Sequence, residues 1–140
     1  MSDPLLTSCP TPCAEHPRVA AARGALLDSA SAAALADLFR ALGDATRAKI
    51  ITCLLHQDLC TCDLALLMGI TESAISQHLR VLRALRLVTS QRRGKLVFHA
   101  VADAHVALLV QVGLSHVQEG DAHHPMMAQL LTHLMKGATA

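Results

Sequence analysis

Apolar residues recur along this chain mainly at helical spacing. Leu35, Leu38, Phe39 and Leu42 stand at i, i+3, i+4 and i+7, which predicts a helix with one buried stripe. An Ala-rich helix precedes it from Arg18, and the division falls near Asp28–Ser29, where Asp28, Ser29 or Ser31 supplies the cap. Gly43 ends the second helix. Asp44 caps a third, with Ile50, Ile51, Leu54 and Leu55 as core, and Cys53 among them reads as a small buried hydrophobe. Leu64, Ala65, Leu67 and Met68 form the apolar part of a short helix broken by Gly69. Thr71 then opens another helix. At about 100° per residue, its Ile75, Leu79 and Leu82 cluster on one face and Ser73, Ser76, Gln77 and Arg80 on the opposite one. His78 lies toward the buried side and is read as packing or as support behind another residue's contact, not as base readout.

From Leu87 the pattern changes. Leu87–Gln91 and Leu96–Ala100 read as two strands of a β-hairpin, with Arg92, Arg93, Gly94 and Lys95 at its tip. Asp103 to about Gly120 returns to helix, with Val106, Leu109, Val110 and Leu114 apolar. Residues 121–140 break at His123-His124-Pro125 and resume as a short apolar helix from Met126 to Met135, a cover for the core or for a dimer interface. The predicted fold class is mainly α with a small β-hairpin, a winged helix-turn-helix. Three regions are expected: an N-terminal arm over 1–17, the DNA-binding and dimerisation domain over 18–120, and a tail over 121–140.

Composition narrows the function. Aromatics are limited to Phe39 and Phe98, so the core is built from Leu, Ala, Val and Ile, and base stacking on rings has almost nothing to work with. The formal charge of +1 is uninformative, but its distribution is not. Six of the twelve basic residues (Arg80, Arg83, Arg86, Arg92, Arg93, Lys95) fall within sixteen positions, and no acid occurs between Glu72 and Asp103. That is the footprint a phosphate backbone requires. Ser73, Ser76, Gln77 and Arg80, with Thr71 at the helix start, suit base edges and phosphates of double-stranded DNA, and Arg92, Arg93 and Lys95 suit the flanking backbone. Neither a secretion signal nor a membrane-spanning apolar run is evident, so a cytoplasmic protein is expected. Five cysteines then point to metal or redox chemistry rather than to a disulfide framework.

Two groups of ligand-type residues stand out. Cys60 and Cys62 lie at a helix start, where two thiolates can converge, and the arm carries Cys9 and Cys13, with His16 as a possible substitute. Together they make a sulfur-rich set suited to Cd²⁺, Pb²⁺ or Zn²⁺. In the last helix, Asp103, His105, His116 and Glu119 form the second set. His105 and His116 share a face but stand ~16 Å apart along the axis, too far for one ion. A second copy of the helix running antiparallel would bring Asp103 and His105 of one chain to His116 and Glu119 of the other, giving two N2O2 sites suited to Zn²⁺ across a homodimer two-fold.

The phrases LFRALGDATRAKI, DLCTCDLA, SAISQHLRVLRALRLV and RRGKLVFHAV resemble the ArsR/SmtB metalloregulatory repressors from about Leu35 to Glu119. Asp103, His105, His116 and Glu119 match that family's C-terminal pattern, Cys60 and Cys62 its sulfur site, and Cys9 and Cys13 the arm cysteines of its cadmium- and lead-responsive members. The resemblance implies a winged-helix homodimer bound to operator DNA without metal and released by Cd²⁺, Pb²⁺ or Zn²⁺, controlling metal efflux or sequestration genes. It also implies that arm cysteines of one protomer complete the site begun by Cys60 and Cys62 of the other. Where relatives often carry tyrosines in the wing, this chain has Phe98-His99. Two rival readings are a thiol redox repressor using Cys60 and Cys62, and a zinc hydrolase using His105 and His116 with Glu119 as base. The hydrolase would have its metal saturated by protein ligands, and no HExxH helix is present.

Overall fold

In the computed structural model, residues 16–119 and Thr132 are described. The chain divides into two compact units, residues 1–36 and 37–140. The arm cysteines Cys9 and Cys13, the His123-His124-Pro125 break, His133 and the expected Met126–Met135 helix lie outside the described residues.

In the first unit, α1 spans Pro17–Arg23. His16 caps it by accepting the Arg18 backbone N–H, and Pro17 occupies the first turn, where a missing N–H costs nothing. The next helix, α2 (Ser29–Leu42), starts in the first unit and has its residues from Asp37 onward in the second; it is capped by Asp28, whose carboxylate accepts from both the backbone N–H and the hydroxyl of Ser31. The expected buried stripe on α2 is only partly buried. Leu38 and Leu42 pack against the core, whereas Leu35 is 47% and Phe39 53% exposed. Periodicity identifies an apolar face; among the described residues nothing covers all of it.

In the second unit, α3 (Ala45–Leu54) begins at Asp44, which accepts the Arg47 N–H, and buries Ile50, Ile51 and Leu54. Leu55 and Cys53 are half-buried. The helical pair follows as α4 (Thr61–Met68) and α5 (Glu72–Ala84). Gly69 turns the chain between them at φ +66°, a left-handed conformation that glycine adopts without a Cβ penalty. Ile75, Leu79 and Leu82 of α5 are buried with Leu64, Leu87 and Val106 in one apolar cluster.

The end of α5 departs from that rule. Arg86 adopts φ +58° while the Leu87 N–H bonds the Leu82 carbonyl and the Arg86 N–H that of Arg83, a Schellman closure with arginine at the position glycine usually holds.

The wing is β2 (Val88–Arg93) paired antiparallel with β3 (Leu96–Val101), and the final helix α6 runs Ala104–Glu119. Arg92 and Arg93 belong to the strand, so of the expected tip only Gly94 (φ +65°) and Lys95 form the turn. A third strand was not legible in the sequence: β1, only Leu59–Cys60, pairs antiparallel with β3 and makes it the centre of the sheet.

That register buries a polar side chain. His99 is 2% exposed, with Nε2 3.0 Å from Thr61 Oγ1 and Nδ1 2.7 Å from Ser90 Oγ. Burial, and then the Arg83 guanidinium, hold its pKa below the ordinary histidine value. A histidine whose folded pKa is depressed adds stability above its unfolded value of ~6.5 and loses it as pH falls from there toward the folded pKa. The unfolding free energy from urea titrations should therefore fall on going from neutral to mildly acidic pH, by up to ~1.4 kcal/mol per pH unit from this group. His99→Gln should flatten that slope; an unchanged slope would show that His99 is not buried as a neutral ring.

Candidate metal centre and nucleic-acid interface

The start of α4 carries the densest chemistry. Cys60 is both the last residue of β1 and the N-cap of α4: its Sγ accepts the Asp63 N–H at 3.4 Å, and the Asp63 carboxylate accepts the Cys60 N–H at 3.0 Å. This reciprocal capping box satisfies two donors that a helix start leaves open. It also gathers ligands. One atom each from Cys60, Cys62 and Asp63 lies within 4.8 Å of the others, and among the described residues this is the one such group of three.

Cys60 is held as a thiol and Asp63 as a carboxylate. Burial pushes the Cys60 thiol up to about 11, assisted by its hydrogen bonds with Cys62 and Asp63. Hydrogen bonds from the same cysteine hold the Asp63 carboxyl below its usual range. A soft or borderline ion takes such sulfur donors by displacing the proton, and tetrahedral Zn–S bonds of ~2.3 Å set sulfurs about 3.8 Å apart, a modest contraction of this group. A buried thiol at about 11 is a poor nucleophile at neutral pH. Asp63 escaped the sequence reading. Its signal was the acid three residues after the cap, disguised because cysteine stands where a capping box usually has serine or threonine.

The residues of the α6 set are spread along one helix. Asp103 caps α6 through the Val106 N–H at 3.0 Å and lies 3.6 Å from His105 Nδ1, while His105 is 97% exposed. His116, also exposed, sits on the same helix eleven residues on, and the chain does not bring it to His105. Glu119 ends the helix backbone. His116 borders an apolar groove of about 590 Å³ between α2, α3 and α6, lined by Phe39, Leu42, Ile51, Leu109 and Val117 among others.

The polar face of α5 points outward. Ser73, Gln77 and Arg80 are exposed and Ser76 half-buried, opposite the buried Ile75, Leu79 and Leu82. The Thr71 hydroxyl is engaged in capping, accepting the Ala74 N–H at 3.1 Å. His78 is half-buried with Nδ1 3.8 Å from the Asp44 carboxylate, as a packing residue would be. In the wing Lys95 is exposed, and Arg92 donates to the Gly94 carbonyl. Arg93 is turned back: it pairs with Asp58 and lies 4.9 Å over the Phe98 ring, so its charge is partly committed within the chain.

Residues 44–90 match the pattern of the bacterial regulatory proteins of the arsR family. A transcriptional repressor SmtB homolog of Synechocystis is 44% identical over 87 residues, covering 62% of this chain and 66% of the relative. A cadmium resistance transcriptional regulatory protein, CadC homolog, of Staphylococcus aureus is 38% identical, covering 61% and 71%. NmtR of Mycobacterium tuberculosis is 40% identical over 64% of this chain and 75% of the relative. The solution structure of apo-NmtR superposes with a TM-score of 0.59 at 36% identity, covering 71% of this chain and 87% of that one.

Proposed function

Since the chain belongs to the ArsR family of bacterial regulatory proteins, we propose that it is a metal-responsive transcriptional repressor: a homodimer that binds operator DNA without metal and lets go when Cd²⁺, Pb²⁺ or Zn²⁺ binds. The observation that carries the reading is the convergence of Cys60, Cys62 and Asp63 at the first turn of the helix preceding α5. A cadmium-resistance regulator among the relatives supports a thiophilic effector. The hydrolase reading falls with the family, whose relatives here are transcriptional regulators.

DNA recognition belongs to α5 and the wing. Ser73, Ser76, Gln77 and Arg80 face the major groove while Lys95 and Arg92 reach flanking phosphates. Exposed Phe39 and Val117 beside the α2/α3/α6 groove support a second copy as the cover of that face. In such a dimer Asp103 and His105 would meet the partner's α6 set. Cys9 and Cys13 would complete the sulfur site.

A bound ion would supply a fixed positive centre for two thiolates and a carboxylate. Gathering those groups redefines the first turn of α4, and α4 packs on α5, so the conformation preferred with metal differs from the one preferred on DNA. Linkage makes the effect reciprocal, commonly ~1–3 kcal/mol.

The test is direct. DNA selected from a random duplex library by the metal-free protein should be released on titration with Cd²⁺, Pb²⁺ or Zn²⁺; affinity unaltered by all three ions would refute the reading. On the same duplex Arg80→Ala should weaken binding ~5–150-fold, the range for a lost base or phosphate contact of ~1–3 kcal/mol, with metal affinity unchanged. Loss of metal binding instead would remove Arg80 from the DNA face.

A further inference from the structure

Thr61 stands between the two sensor cysteines, and its hydroxyl is tied to the wing. Thr61 Oγ1 is 3.0 Å from His99 Nε2, His99 Nδ1 is 2.7 Å from Ser90 Oγ, and Arg83 donates to that same Ser90 oxygen at 3.2 Å. Four side chains from four elements are thus strung together: the first turn of α4, the central strand β3, the wing strand β2 and the last turn of α5. The backbone register makes the alignment unavoidable. His99 is paired across one edge with Leu59, the residue before Cys60, and across the other with Ser90.

The polarity is self-consistent. The Arg83 guanidinium donates to the Ser90 oxygen, and a neutral His99 ring donates through one nitrogen and accepts at the other, roles that the Ser90 and Thr61 hydroxyls match in either tautomer. Such chains strengthen each bond by polarising the next, and the low-dielectric surroundings of His99 make an unmade bond costly. Thr61 therefore cannot leave its place without disturbing Ser90 and Arg83.

Resting on the metal-responsive reading, we infer that His99 is a positioning residue that carries rearrangement of the Cys60/Cys62 turn, through Thr61 on one side and Ser90 on the other, to the wing and to the C-terminal end of the DNA-reading helix. The sensor turn and the DNA-binding surface are then joined by side chains as well as by the packing of α4 on α5. No DNA contact is asked of His99, and no metal bond.

The test uses the ¹⁵N-labelled full chain and Cd²⁺ alone. Binding is followed by thiolate-to-cadmium charge-transfer absorbance, and its transmission by the NMR shifts of the Gln91–Lys95 amides and the Arg83 side chain. Thr61→Val and Ser90→Ala remove one hydroxyl each and leave the ligands in place. Both should bind Cd²⁺ within about twofold of wild type while the Cd²⁺-induced wing and Arg83 shifts drop to roughly a third or less. Thr61→Ser and Ser90→Thr, which restore the hydroxyl, should recover the shifts, and metal-free wing amide shifts of the deletion variants that match wild type exclude a purely structural role in folding the hairpin. Wing shifts of wild-type size in both deletion variants would overturn the relay while leaving the metal reading intact. Absence of the charge-transfer band in wild type would overturn the sulfur site as the sensor and the relay with it.

Discussion

Replacing Cys60 and Cys62 together by serine should weaken Cd²⁺ binding ~1000-fold or more and abolish Cd²⁺-induced release of DNA, while the metal-free protein still binds DNA within a few-fold of wild type. Two of the three converging donors are lost, and the hydroxyls that replace them are neither soft nor ionised at neutral pH. Serine keeps the N-cap at position 60, since its oxygen accepts the Asp63 N–H as Cys60 Sγ does, so α4 should survive the change. Charge-transfer absorbance and a DNA-release titration measure the two effects separately. Release by Cd²⁺ at wild-type concentrations would move the sensor to Asp103, His105, His116 and Glu119, where His116→Ala is the matching experiment.

A large loss of folding stability is expected at Leu79. Its side chain is 1% exposed and lies on the face of α5 opposite Ser73, Gln77 and Arg80, packed into the single apolar cluster of the second unit. Leu79→Ala removes that burial and leaves a cavity, for a loss of ~2–5 kcal/mol, a large share of the ~5–15 kcal/mol that holds a domain of this size. Leu66, 84% exposed on α4, is the control: Leu66→Ala should change stability by only about 0.5 kcal/mol. Urea denaturation of the two variants reads both values. Equal midpoints would mean that the division of α5 into a core face and a DNA face is wrong.

The parts of this molecule legible in the sequence were those governed by local period and local capping. The polar and apolar sides of α5 follow from 3.6 residues per turn, and Asp28, Asp44, Thr71 and Gly69 announce their helix ends by residue type. The α6 set was legible in a negative sense: eleven residues of helix forbid one ion between His105 and His116, and the chain keeps them apart.

What escaped depends on pairing between distant segments. A two-residue strand such as Leu59–Cys60 shows no alternation and exists because β3 offers it an edge. Only that edge makes His99 a buried centre instead of one more wing residue, and only the fold of the turn brings Asp63 to the thiols. The stripe on α2 failed for a related reason. A hydrophobic period at Leu35 and Phe39 tells which side avoids water, and the described residues do not supply the whole cover for that side.

The turn at Arg86 bears on how far this protein can be stabilised. A left-handed backbone costs a residue with a Cβ roughly 1–2 kcal/mol, and glycine would remove that cost without disturbing either closing bond to Leu82 or Arg83. Arginine sits there nonetheless, inside the run of cations between α5 and the wing. Selection for thermal robustness alone would settle on glycine at this joint and would discard a positive charge where a polyanion is to be gripped. The joint is thus a place where durability and grip compete for a single residue.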